Sequence, residues 1–232
     1  MRTAKTVLTV IQERGKQKKP IERVYKLLFN RELYLNAYAK LYPNNGAMTK
    51  GVTNETVDGM SIQKIDRMIE ILREEKYQWK PARREYIKKK NGKKRPLGIP
   101  VWGDKVLQEV MRQILEAYYE PQFSEHSHGF RPNRGCHTAL QEIQVWKGTR
   151  WFIEGDISQY FDTIDHKILL EILARNIHDG RFIRLVSNML EAGYLEEWKF
   201  KQTISGVPQG GVISPTVSYT HLRAHETRHD LV

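Results

Sequence analysis

With a single cysteine, Cys136, the chain cannot close an internal disulfide, which fits a reducing cytosol and argues against a stapled secreted domain. No run of about 18 apolar residues is present, so nothing in the sequence spans a bilayer. Met1 to Pro20 is basic but has no apolar stretch long enough for a secretory signal. Internal repeats and low-complexity tracts are missing too, and no two aspartates are adjacent anywhere. A soluble, intracellular protein is the expectation. Acidic residues are scarce: 27 Asp and Glu face 38 Lys and Arg, for a net charge of +11.

What is present is globular: 232 residues, 40 % hydrophobic and 10 % aromatic, enough for one large domain or two small ones. Cations cluster at Lys16–Lys19, Arg83–Arg84, Lys88–Lys90 and Lys93–Arg95. A polyanion is the natural partner, because neutralised phosphates release condensed counterions. Charge alone leaves a solvated basic face or anionic lipid open. Trp79, Tyr86 and Trp102 flank the densest cluster and favour nucleic acid.

Periodicity predicts one amphipathic helix over Ile21–Leu41 and a loop from Tyr42 to Gly59. Ser61 is placed to cap a helix with Ile62, Ile65, Ile69 and Leu72 on one face. Tyr86–Lys90 and Lys93–Ile99 flank Asn91-Gly92, a hairpin signal, and Pro96 puts the second arm at a sheet edge. Helices are expected from Asp104 to before Pro121, then over Ala139–Trp146, after an Asp165 cap, and from about Arg181 to Glu191. Alternation from Trp198 to Ile204 reads as a strand. The mixed order argues α+β and not a regular βαβ repeat.

Trp151-Phe152-Ile153 before Glu154-Gly155-Asp156 reads as a buried strand delivering a carboxylate at its end. With Asp162 six residues on, Asp156 suits Mg²⁺ held jointly by protein and phosphates. Read locally, a strand-end aspartate is more often a cap or turn residue, and Asp162 fits the turn into the next helix.

The order of segments adds a resemblance. Trp151 to His166, containing Asp156-Ile157-Ser158-Gln159-Tyr160-Phe161-Asp162, resembles the first palm motif of group II intron reverse transcriptases. Gly206-Val207-Pro208-Gln209-Gly210-Gly211-Val212-Ile213-Ser214-Pro215 resembles their next palm motif. Tyr86 to Pro100 looks like the first fingers motif, and His128-Gly129-Phe130-Arg131-Pro132-Asn133-Arg134-Gly135 to Ala139 the second. Gly51 to Ser61 is similar to the N-terminal extension of these proteins.

That resemblance implies an α+β right-hand polymerase with fingers and an incomplete palm. Its divisions would be a basic N-terminal arm over 1–19, extension and fingers over 20–145, partial palm over 146–215 and an aberrant tail over 216–232. Asp156 would be the catalytic metal ligand, helped by the Ile157 carbonyl. Lys89 and Arg95 would grip a deoxynucleoside triphosphate. Ile157, Gln159, Tyr160, Gln209 and Gly210 would line the nucleotide site, and Phe161 would exclude a 2′-hydroxyl. Lys88, Lys93, Lys94, Arg131 and Arg134 would contact nucleic acid, with His137 packing fingers on palm. The partners implied are intron RNA as template, a DNA primer and two Mg²⁺ ions, in a cytoplasmic, nucleoid- or RNA-associated protein.

The chain departs from the pattern after Pro215. The family continues with an apolar helix and a Tyr-Ala-Asp-Asp segment, whereas Thr216–Val232 is polar and resembles a foreign join. His221, His225 and His229 share helical spacing, but the outer pair lies about 12 Å apart along a helix axis, too far to share one ion. The expectation is a polymerase fragment inactive by itself, with an intron-RNA-binding splicing cofactor as the alternative. A retron or diversity-generating reverse transcriptase fits the Leu-Gly-Ile-Pro and His-Gly-Phe-Arg-Pro stretches less well.

Overall fold

Thr3 starts the first helix, α1 (Ala4–Lys16), by accepting the Thr6 amide hydrogen. The computed structural model describes residues 2–88, 92, 94–155, 157, 160–203, 205–207 and 211–216. Ile21–Leu41, expected as one helix, is three pieces. Ile21–Glu22 is a short strand, β1, Val24–Phe29 is a 3₁₀ helix, and Arg31–Leu41 alone is α-helical, as α2. Two residues impose the breaks. Arg23 takes a left-handed φ of 54°, and Asn30 is extended, with its side chain accepting the Glu32 amide hydrogen and so restarting the helix.

Ser61 caps α3 (Ile62–Arg73), accepting from the Lys64 amide. Ile65, Ile69 and Leu72 are buried as expected, whereas Ile62 is exposed. The hairpin follows as β2 (Ala82–Lys88) and β3 (Lys94–Ile99), antiparallel, with Tyr86 opposite Pro96. Gly92 in the turn has φ +77°, a conformation open to glycine.

Helix α4 (Trp102–Tyr119) is the spine, with twelve of its 18 residues buried. It begins two residues before Asp104, which therefore lies inside the first turn. Helices α1 and α2 pack on α4. A Cβ on Gly15 would lie 2.1 Å from the Tyr118 carbonyl oxygen, so only glycine lets α1 approach this closely. The Tyr118 hydroxyl donates to the Lys19 carbonyl at 3.0 Å, fixing the chain that leaves α1.

Helix α5 (Cys136–Gln144) has no buried residue; Leu140 and, just beyond the helix, Trp146 expose about half their surfaces. The short α6 (Tyr160–Thr163) leads to α7 (His166–Asn176), where Asp165 caps as expected by accepting the Ile168 amide hydrogen. Leu169, Ile172 and Leu173 are buried, and Ile168 on the same helix is exposed. Strand β4 (Ile177–His178) pairs in parallel with β1. Asp179 caps α8 (Gly180–Glu191) and also takes the Tyr25 amide hydrogen at 2.9 Å, tying α8 to the 3₁₀ helix.

Strands β5 (Tyr194–Glu196) and β6 (Lys199–Lys201) complete a four-stranded sheet of order β3-β2-β5-β6, which leaves Pro96 on an edge strand. The strand expected over Trp198–Ile204 is shorter, because Glu197 and Trp198 form a left-handed turn; Ile204 lies outside the described residues.

The buried strand expected at Trp151–Ile153 is not formed. These residues have no regular structure and are 87 %, 69 % and 94 % exposed. No described strand pairs with them, and an unpaired strand has no partner for its backbone groups. The architecture is α+β, and no described helix is long and apolar enough to cross a membrane.

Candidate functional site

The two segments richest in chemistry are stitched together by backbone. The Val207 amide donates to the Phe161 carbonyl and the Gly206 amide to the Ile164 carbonyl, both at 2.8 Å. The Gly206 carbonyl can only accept, so His166 Nε2 donates to it at 2.7 Å. Gly206 has φ +82°, and a Cβ there would sit 2.7 Å from the Phe161 carbonyl oxygen. From α4, the buried Gln108 accepts the Val212 amide hydrogen at 2.9 Å. Backbone bonds therefore join the end of α6 to Gly206 and Val207, while Gln108 ties Val212 to α4.

Tyr160 and Phe161 are half-buried and meet edge to face with centroids 5.7 Å apart. Ile157 is 55 % exposed. Asp156, Gln159, Gln209 and Gly210, the heart of the expected site, lie outside the described residues, as do Lys89 and Lys93. Among the described residues no three His, Cys, Asp or Glu side chains converge to hold an ion.

Register sorts the hairpin cations. Arg95, opposite Ile87, shares a face with Leu97 and Ile99; Lys94, opposite Lys88, shares the other with Arg84 and Tyr86. Leu97 and Ile99 line a cavity of about 240 Å³ whose far wall includes Val212 and Thr49. Across the sheet, a cavity of about 280 Å³ lies between Arg84, Tyr194, Asp162 and Gly206. There the Arg84 guanidinium stacks 3.8 Å from the centre of the Tyr194 ring. Lys88, Lys94 and Arg95 are all exposed.

Arg131 and Arg134 hold the loop before α5. The Arg131 side chain is 7 % exposed; it donates to both carboxylate oxygens of Glu120 and to the Ser127 carbonyl, and lies over Phe123. Arg134 is half-buried and donates to the Glu125 carbonyl. Glu142 on α5 receives both His126 and His128, and these two histidines hold its carboxyl below the usual range. His137, expected to pack, is exposed.

Gln108 and His166 escaped sequence reading. For Gln108 a signal existed, a polar residue three positions before Met111 on the buried side of α4. His166 had none, because its partner is 40 residues away.

The model of the family described as reverse transcriptase (RNA-dependent DNA polymerase) matches residues 87–224, more than half of the chain. The chain belongs to the reverse transcriptase family. This reverse transcriptase-family chain is similar to the group II intron-encoded protein LtrA of Lactococcus lactis subsp. cremoris, 48 % identical over 202 residues, covering 86 % of this chain and 34 % of that protein. It is 45 % identical over 227 residues to an uncharacterized 91 kDa protein in the cob intron of Schizosaccharomyces pombe, covering 94 % and 28 %. Against protein YkfC of Escherichia coli K12 it is 39 % identical over 211 residues, covering 85 % and 54 %. The chain thus spans about a third of the LtrA relative, and its likeness is to the group II intron-encoded reverse transcriptases and maturases.

Proposed function

We propose that this chain carries the fingers and first palm segments of a right-hand, group II intron-type RNA-directed DNA polymerase. The observation that supports it best is the backbone stitching of Phe161 and Ile164 to Gly206 and Val207, described residues of the two motifs that resemble palm segments. The incoming nucleotide is assigned to the hairpin face of Arg95, because Leu97 and Ile99 on that face look across a cavity to Val212. Lys89 and Arg95 would grip its triphosphate, while Ile157, Gln159, Tyr160, Gln209 and Gly210 line its base and sugar. Phe161 would stand against the sugar. Lys88, Lys93 and Lys94 would follow nucleic-acid phosphates. Arg131 and Arg134 would act by shaping the loop that borders the template, since their guanidinium groups are held by Glu120 and by backbone carbonyls.

Carboxylate and carbonyl oxygens are hard donors that suit Mg²⁺, so Asp156 and the Ile157 carbonyl fit one ion. Bound Mg²⁺ supplies activation of the primer 3′-hydroxyl and stabilises the leaving pyrophosphate. One aspartate is half of a two-ion set, and the chain has no Asp-Asp pair to provide the remainder. The charge of +11 supports a second reading as an RNA-binding splicing cofactor.

Purified chain, a primed RNA template, Mg²⁺ and labelled deoxynucleotides distinguish the two. The expected outcome is retention of the primed template on a filter without extension of the primer. Extension by the chain alone would remove the splicing-cofactor reading; failure to retain RNA would remove both.

A further inference from the structure

Away from the hairpin, the loop after α2 closes over α3 and the start of α4 and leaves a cavity of about 490 Å³. Small-ligand sites occupy roughly 300–1,000 Å³. The apolar part of its wall is Met60, Met68, Ile71 and Trp102. Methionine side chains adapt their shape to a flat partner and make favourable sulfur–aromatic contacts. Lys64, Arg67, Lys76 and Lys80 also line it, against the carboxylates of Glu55 and Asp104, so the cavity is net positive. Lys76 pairs with Glu74; Lys64 and Arg67 are exposed and have no ion-pair partner among the described residues.

Two buried side-chain groups of residues at this wall, and the helix start beside them, lack side-chain partners. The Trp102 indole N–H is buried in a residue only 3 % exposed and meets no acceptor. The buried Thr53 hydroxyl is likewise unpartnered. The first turn of α4 has no side-chain cap, since its N-cap is Val101 and Asp104 is occupied by the Tyr77 hydroxyl and the Lys80 amide. An uncapped helix start favours an anion.

We propose that this cavity binds a nucleoside monophosphate unit, with its base on Met60, Met68, Ile71 and Trp102 and its phosphate held by Lys64, Arg67 and the start of α4. An inorganic anion would leave the apolar wall unused. A purely apolar ligand would leave the cations at the rim unmatched. A heterocycle offers a flat face to the apolar wall together with the negative group the rim requires. The unit comes either from a free nucleotide or from an unstacked nucleotide in single-stranded RNA. Neither source involves the residues to which polymerisation is assigned.

The test uses the whole chain without Mg²⁺ or deoxynucleotides, so a failed polymerisation assay leaves it untouched. The Trp102 indole N–H resonance, identified by its loss in Trp102→Phe, is followed while AMP, inorganic phosphate or a short oligo(A) RNA is added separately. AMP or the RNA is expected to shift this resonance, and Lys64→Ala/Arg67→Ala to weaken the effective ligand about tenfold or more. Action of RNA alone identifies a strand as the source; action of AMP identifies the free nucleotide. An unmoved resonance with both, or an equal response to inorganic phosphate, overturns the proposal. Should Trp102→Phe unfold the chain, calorimetric titration of the wild type against Lys64→Ala/Arg67→Ala, both exposed residues, decides: equal affinity for AMP and RNA in the two proteins overturns it.

Discussion

Burying the Asp104 carboxyl in the first turn of α4 raises its pKa from 3.8 to about 6, because desolvation outweighs the hydrogen bonds from Tyr77 and Lys80. The folded state therefore holds this proton more tightly than the unfolded chain does. Stability from the group is fully present below the unfolded pKa and is lost as pH rises through the folded value. The size is about 3 kcal/mol, lost between pH about 4 and 6. Asp104→Asn should flatten the fall in unfolding free energy across this window while leaving secondary structure intact. Urea unfolding of both proteins at several pH values measures it, and parallel curves would count against a buried, titrating Asp104. Asp104 read from the sequence only as the start of a helix. Its partners, 24 and 27 residues away in the chain, come to it through packing that periodicity does not encode.

Among the elements, those whose signals are local are legible in the sequence: the Ser61 and Asp165 caps, the Asn91-Gly92 hairpin, most of the apolar face of α3, and the helices α4, α7 and α8. The errors fall where a side chain competes with the backbone, as at Asn30, or where an element lacks neighbours, as at Trp151–Ile153. Helix α5 forms near the expected place, yet Leu140 and Ile143 are exposed because nothing among the described residues covers them. The spine helix α4 also hides a charge network. Glu109, only 1 % exposed, accepts two hydrogen bonds from Arg112, which also reaches Glu116, and Lys40 approaches Glu109 at 3.4 Å. Arg112→Met would leave Glu109 buried with Lys40 alone, so a loss of about 3 kcal/mol is expected. Glu109→Leu combined with Arg112→Met removes the stranded charge and should recover much of it. Denaturation of the single and double variants checks both, and a double variant weaker than the single would show that the pair contributes more than its removal saves.

For the whole molecule, the surplus of positive charge was visible from composition, but its placement was not. Periodicity alone could not say that Arg131 lies against Glu120, or that Lys88 and Lys94 stand opposite each other and exposed at the hairpin end. These two classes of cation should behave differently toward nucleic acid. Arg131 is already neutralised within the protein, so Arg131→Ala should weaken RNA binding only by disordering its loop, with little change in salt dependence. Lys88 and Lys94 can each neutralise a phosphate and release a counterion. For single-stranded RNA each such contact contributes roughly 0.7 to the slope of log affinity against log salt. Lys88→Ala/Lys94→Ala should therefore lower that slope by about 1.4 and weaken binding to all sequences alike. Filter binding across a salt series reads both quantities from one experiment. An unchanged slope would place the hairpin outside the nucleic-acid path and move the basic interface to another face of the chain.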